Sequence, residues 1–208
     1  MLKIGKINVL KVVDHFPFGF YLVPPTVSDE EYDPERAILL PAEEAPQNTE
    51  IGTLLDAFVY FNNDDRLVAT LKTPKVQLGE VAFLTCKHIT KVGAFMDWGL
   101  NKDLLVPFSE QRRRLEVGQD IMVRIYTDKA SGRIVGSTKF NRFLDKTPAN
   151  YKVGQEVQVM IAEVTDLGYK AVIEEAHWGL IFKTEAFGKL FPGKKLKAYI
   201  KEIRPDGK

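Results

Sequence analysis

Cysteine is almost absent: Cys86 stands alone among 208 residues. An intrachain disulfide is therefore impossible, and a metal site built on paired thiolates has no second ligand. Histidine is scarce too, with His15, His88 and His177 far apart in the chain and without the spacing of a zinc-binding pair. The start, Met1-Leu2-Lys3-Ile4-Gly5, carries no apolar leader, and no run approaches the roughly 18 apolar residues of a membrane span. The chain reads as cytoplasmic. A glycine-rich phosphate loop with its lysine and a Gly-x-Ser-x-Gly elbow are both missing. Carboxylates are plentiful, but Asp29-Glu30-Glu31 and Glu43-Glu44 fall in polar loops where solvation is their ordinary role. These absences point away from an enzyme and from any cofactor or bound metal. A nuclease built from loop acids is the one catalytic alternative left.

What is present is an uneven distribution of charge. The whole chain carries a net charge of +1. Residues 1–73 hold 6 Lys and Arg against 12 Asp and Glu, residues 74–147 hold 13 against 8, and residues 148–208 hold 10 against 8. An acidic first third is followed by a basic middle. A polyanion would be gripped by the middle and the end, and locally, since the balanced total argues against indiscriminate phosphate binding.

The chain also repeats itself. One and the same interval separates Gly5 from Gly19, Gly79 from Gly93 and Gly154 from Gly168. That interval recurs from Gly93 to Pro107 and from Gly168 to Phe182, whereas the first copy takes a longer path from Gly19 to Pro41. A second, shorter interval then leads identically from Pro41 to Gly52, from Pro107 to Gly118 and from Phe182 to Gly193. The excess in the first copy falls in the proline-rich acidic stretch from Pro24 to Pro34, which reads as an extended loop.

Each copy has strand-type apolar alternation. In the middle copy the strands are expected at Val81–Ile89, Gly93–Asp97, Asp103–Pro107, Asp120–Tyr126 and Arg133–Ser137. Ser109–Leu115 is expected to form one helical turn capped by Ser109, and Thr138–Asp145 a short helical linker. Five short strands with unpaired edges are expected to close into a small Greek-key barrel. The fold class is therefore all-β, with three tandem five-stranded OB-fold barrels over 1–73, 74–147 and 148–208. The third stops at Ile203-Arg204-Pro205-Asp206-Gly207-Lys208, where its fifth strand should begin, and is expected to be incomplete.

Five strands, a Gly-Ala-Phe second strand and a Val-Gly before the fourth make each unit resemble the S1 RNA-binding repeat of ribosomal protein S1. Three such units in a row, with Val92-Gly93-Ala94-Phe95-Met96-Asp97-Trp98-Gly99-Leu100 and Leu104-Leu105-Val106-Pro107-Phe108, resemble the conserved virulence factor B family. That resemblance implies a bacterial, RNA-binding, regulatory and non-catalytic protein, with a winged-helix domain expected beyond Lys208. It also implies site residues. The base-stacking ring two residues after the second-strand glycine falls on Tyr21, Phe95 and Lys170 in the three copies. A ring just before that glycine is matched by Phe18 but replaced by Val92 and Leu167. The histidine common near the end of strand three falls on Pro41 and Pro107. The basic residue opening strand five is matched by Arg133, roughly by Arg66, and by Lys208.

A single-strand binder needs exposed rings flanked by fixed cations. Phe95, in the most basic copy, is the leading candidate for stacking. Trp98 would either stack on a base or fill a seam against a neighbouring barrel, and Trp178 faces the same choice with the seam favoured. Arg112-Arg113-Arg114 is the densest basic run, either a solvated face or a phosphate contact. Arg133 and Lys139 bracket the fifth strand, and Lys194, Lys195 and Lys197 form a solvent face with a weak phosphate role. Phe18 and Tyr21 sit in the acidic copy, where a protein partner or a spacer role competes with stacking. The expected partner is single-stranded RNA, with single-stranded DNA open as a competitor. The rival reading is a protein-interaction scaffold of degenerate barrels.

Overall fold

The computed structural model describes residues 2–28 and 32–204. Its regular structure is strand, joined by turns and by short 3-10 turns, with no α-helix among the described residues. In the first repeat β1 (Ile7–Phe16), β2 (Gly19–Val23), β3 (Ile38–Pro41), β4 (Leu54–Phe61) and β5 (Leu67–Thr70) close into a barrel in the order β1-β2-β3-β5-β4. The closing contact is a single parallel bridge between Leu39 and Val68; the other pairs are antiparallel. Leu10, Val12, Leu22 and Leu40 are fully buried inside it. Each such side chain contributes about 1.5–3 kcal/mol by leaving water.

The middle repeat gives β6 (Val81–Thr90), β7 (Gly93–Met96), β8 (Leu104–Pro107), β9 (Asp120–Thr127) and β10 (Ile134–Ser137), in a five-stranded sheet ordered β10-β9-β6-β7-β8. The last repeat gives β11 (Glu156–Val164), β12 (Gly168–Ile173), β13 (His177–Phe182) and β14 (Lys195–Tyr199), in a four-stranded sheet ordered β13-β12-β11-β14. The chain divides into two compact units. One comprises Met1–Leu78, Met96–Leu105 and Tyr126–Val135; the other comprises Gly79–Phe95, Val106–Ile125 and Gly136–Lys208.

The repeated glycines have a structural cause. Gly19 pairs directly with Pro41 across β2 and β3, and Gly168 with Phe182 across β12 and β13. A Cβ on Gly19, Gly93 or Gly168 would lie 2.2, 2.4 or 2.1 Å from the carbonyl oxygen of Leu40, Val106 or Ile181. Only a residue without a side chain permits that approach.

A second shared device is a β-bulge in the strand before this glycine. Val12 pairs with Leu22 but Asp14 pairs with Tyr21, and Ile161 pairs with Ala171 but Glu163 with Lys170. The extra residue, Val13 or Ala162, shifts the alternation by one, so that the residues after it change face.

Two local expectations need correction. The turn after β8 is a 3-10 turn over Phe108–Glu110 with no side-chain cap, so Ser109 lies inside it and does not open it. Gln111 at its end is extended and buried, which stops a longer helix. The expected linker helix shrinks to Phe140–Arg142. Asp145, at φ 57°, donates its amide to the Ala176 carbonyl at 2.9 Å and turns the chain away. The acidic run Asp29-Glu30-Glu31 and the closing residues Pro205–Lys208 lie outside the described residues.

Candidate nucleic-acid interface

Along β7, Ala94 and Met96 are fully buried. Strand alternation therefore turns Phe95 outward, where it is half-buried. Its ring is stacked on the exposed His88 imidazole at the far end of β6, with centroids 4.7 Å apart and planes 11° apart. That is the offset geometry in which aromatic pairs attract. Phe95 is thus a ring held in place on the outer surface of the sheet.

The same S1 domain carries exposed cations just after the turn that follows β8. The Phe108 amide donates to the Val92 carbonyl at 3.4 Å, which ties this turn to the hairpin that opens β7. The Arg114 guanidinium lies 3.8 Å from the centre of the Phe108 ring. Arg112, Arg113 and Arg114 are all exposed, and the reason is local. Gln111 before them and Leu115 after them are buried at 7% and 4% exposure. Gln111 donates its side-chain amide to the Val106 carbonyl at 2.9 Å and accepts the Leu115 amide at 3.3 Å. The three arginines bridge two sunken anchors and can only project outward. The Arg112 amide donates to the Thr138 hydroxyl at 2.7 Å, placing the run next to exposed Lys139. Arg142 pairs with Glu110 on the same side.

This unit therefore holds Phe95, Arg112, Arg113, Arg114 and Lys139, and adds His88 and Phe108. Lys170 belongs to it too, but its ammonium sits 4.1 Å from the centre of the Trp178 ring. Trp178 is half-buried, meets Phe140 edge-on at 6.0 Å, and packs against Val81, Met122, Leu144, Met160 and Val172. It fills a seam inside this unit. Nearby, burial pushes the Glu175 carboxyl above the usual carboxylate range, while the Arg124 guanidinium donates to the Glu175 carbonyl at 2.6 Å.

The other unit holds Phe18, Tyr21, Trp98 and Arg133. Trp98 is only 3% exposed, so base stacking by its ring is ruled out. Its indole donates to the Val76 carbonyl at 2.7 Å and meets Phe58 and Tyr60 edge-on at 5.5 and 6.4 Å. Of the two roles expected for Trp98 this leaves the packed one, and the Lys75 amide donates to the Trp98 carbonyl at 2.9 Å. Arg133 is exposed, but its guanidinium is paired with Asp65.

The profile of the S1 domain family matches residues 4–72 and 78–139. The chain belongs to the S1 domain family. A similar curated protein is the uncharacterized YitL of Bacillus subtilis (strain 168), 31% identical over 106 residues, covering 50% of this chain and 33% of YitL. The chain thus spans about a third of that relative's length. Among solved structures, a multidomain protein with nucleic-acid-binding domains from Streptococcus pneumoniae TIGR4 shares the fold, with a TM-score of 0.53 and 18% identity over 98% of this chain and 71% of that one.

Aligning the repeats on the β2-type glycine exposes a difference in chemistry at one position. Five residues before the glycine and two after it stand Asp14 and Tyr21 in the first S1 domain, His88 and Phe95 in the second, and Glu163 and Lys170 in the last repeat. Asp14 faces Tyr21 and Glu163 faces Lys170 directly across the hairpin. The same place on the barrel therefore offers a carboxylate with a ring, an imidazole with a ring, or a pair of opposite charges. The second S1 domain alone combines a ring with a net positive surround. Sequence reasoning missed His88 and Phe108. The fixed spacing of His88 from Gly93 was the available signal for the first, and nothing local marked the second.

Proposed function

We propose that this chain binds single-stranded RNA without turning it over, and that the second S1 domain is the principal grip. The observation that supports this most is the outward Phe95 ring, fixed on His88 in the same S1 domain as the exposed Arg112–Arg114 run. An unpaired strand offers base faces and a line of phosphates, and that arrangement answers both. A base stacks against the ring while the phosphates on either side meet guanidinium groups and Lys139. Duplex RNA hides its base faces, so the same surface disfavours it. Single-stranded DNA has the same faces and phosphates and competes to the extent that no contact reads the 2′-hydroxyl.

Three repeats in a row and the Val92–Leu100 segment support placing the chain with conserved virulence factor B, as a regulatory RNA binder in a bacterial cell. The S1 domain assignment favours binding over catalysis. Titration of a labelled oligopyrimidine RNA, followed by fluorescence anisotropy at low and high salt, tests the reading. Salt-sensitive saturable binding is expected. A flat titration at low salt would leave the scaffold reading in its place.

A further inference from the structure

We propose that the hairpin face of the first S1 domain is a docking surface for an arginine-rich, extended segment of a partner protein, and takes no nucleic acid. The β-bulge at Val13 turns Asp14 to the same side as Tyr21 and leaves Phe16 two residues further along that side. Phe16 stacks on Phe18 at 5.4 Å and tilts against Tyr21 at 4.9 Å, and Phe18 meets Tyr21 edge-on at 6.3 Å. The Tyr32 hydroxyl donates to the Asp14 carboxylate, whose other oxygen accepts the His15 amide at 2.8 Å. Asp14, held by Tyr32 and facing Tyr21, therefore lies on the same outer side of a closed barrel as the ring cluster of Phe16, Phe18 and Tyr21. Phe18 is 56% exposed, so more than half of this apolar ring stays open beside Phe16 and Tyr21. Exposed Glu43 follows Ala42, whose amide donates to the Phe18 carbonyl at 3.1 Å, and puts a second carboxylate one residue from the hairpin.

Charge decides the occupant. Phosphates approaching these rings would meet Asp14 and Glu43 inside a stretch carrying 12 acids against 6 bases. A cation meets both the negative faces of the rings and the carboxylates. Guanidinium suits this better than ammonium, because its plane stacks on a ring while its fork pairs with a carboxylate. The rings lie on an open hairpin and enclose no cage, so a small lone cation would be held on one side only. An extended chain carrying several arginines spans the hairpin and meets the rings and carboxylates in turn.

The test uses the whole chain and three fluorescein-labelled probes: nona-arginine, nona-glutamate and an oligouridylate of similar length. Nona-arginine should bind and nona-glutamate should not. The double variant Phe18→Ala/Tyr21→Ala, checked for folding by its thermal melt, should lose roughly five- to thirtyfold of its nona-arginine affinity. Its oligouridylate affinity should stay unchanged. Conversely, Phe95→Ala should leave nona-arginine binding intact. Absence of nona-arginine binding overturns the proposal, as does binding indifferent to the two rings, which would mean diffuse charge attraction. Loss of oligouridylate binding in the double variant also overturns it, because the rings would then be stacking bases. Failure of the RNA proposal would appear separately, as an oligouridylate titration that stays flat for the parent chain.

Discussion

Phe95→Ala should weaken oligouridylate binding by roughly five- to thirtyfold. A stacked base is worth about 1–3 kcal/mol by alanine substitution. Phe95 is half-buried and already stacked on His88, so it offers one base part of its surface, which places the loss at about 1–2 kcal/mol. The fold should tolerate the change, because the core on either side is made by Ala94 and Met96, which point the other way and are fully buried. The assay is anisotropy of a labelled oligouridylate at two salt concentrations, with a thermal melt as the folding control. Stacking releases few counterions, so the ratio of variant to parent affinity should be the same at both salts. A folded variant within about twofold of the parent at both salts would refute the stacking argument.

Further outcomes follow from other contacts. Arg112→Ala/Arg113→Ala should flatten the dependence of log affinity on log salt by up to about 1.4, at about 0.7 per lost phosphate contact on a single strand; an unchanged slope would mean these arginines are only a solvated face. Trp98→Ala should cost about 3–5 kcal/mol in denaturant unfolding by emptying a packed site, while the folded fraction binds RNA as the parent does. Gly93→Ala should cost about 1–3 kcal/mol, since its methyl would press on the Val106 carbonyl. Glu175 gives a pH signature. Burial raises its folded pKa above the unfolded value, so its contribution to stability is present in full below about pH 4.3 and is lost as pH rises through the folded value. Melting temperatures of Glu175→Gln should therefore gain on the parent from pH 4 to pH 7; a difference that does not change with pH would contradict this.

The repeat was legible because its punctuation is steric. Gly19, Gly93 and Gly168 are fixed by the approach of a neighbouring strand's carbonyl, and that demand survives when other residues change. The middle strands were readable for the same kind of reason: alternation in Gly93–Met96 and Asp120–Thr127 follows directly from one buried face. The outward position of Phe95 could be read from its buried neighbours. Trp98 could not be placed, because its partners Phe58, Tyr60 and Val76 lie far back in the chain, in and just after the first repeat, and no local pattern encodes that contact. The helical turns were overestimated because Ser109 and the Thr138–Asp145 stretch look like helix starts locally. Tertiary hydrogen bonds from Thr138 to Glu110 and from Asp145 to Ala176 take the backbone groups a helix would have used. The bulges at Val13 and Ala162 left no sequence mark, yet they decide which residues share the outer face with the stacking position.

The direct test of an RNA strand on the second S1 domain is photo-crosslinking of a uridine oligomer to the intact chain, with the adducts mapped by peptide mass spectrometry. Adducts on residues 87–96 and 108–114 are the predicted result. Adducts confined to residues 14–23 or to the last repeat, or none at a saturating RNA concentration, would contradict it.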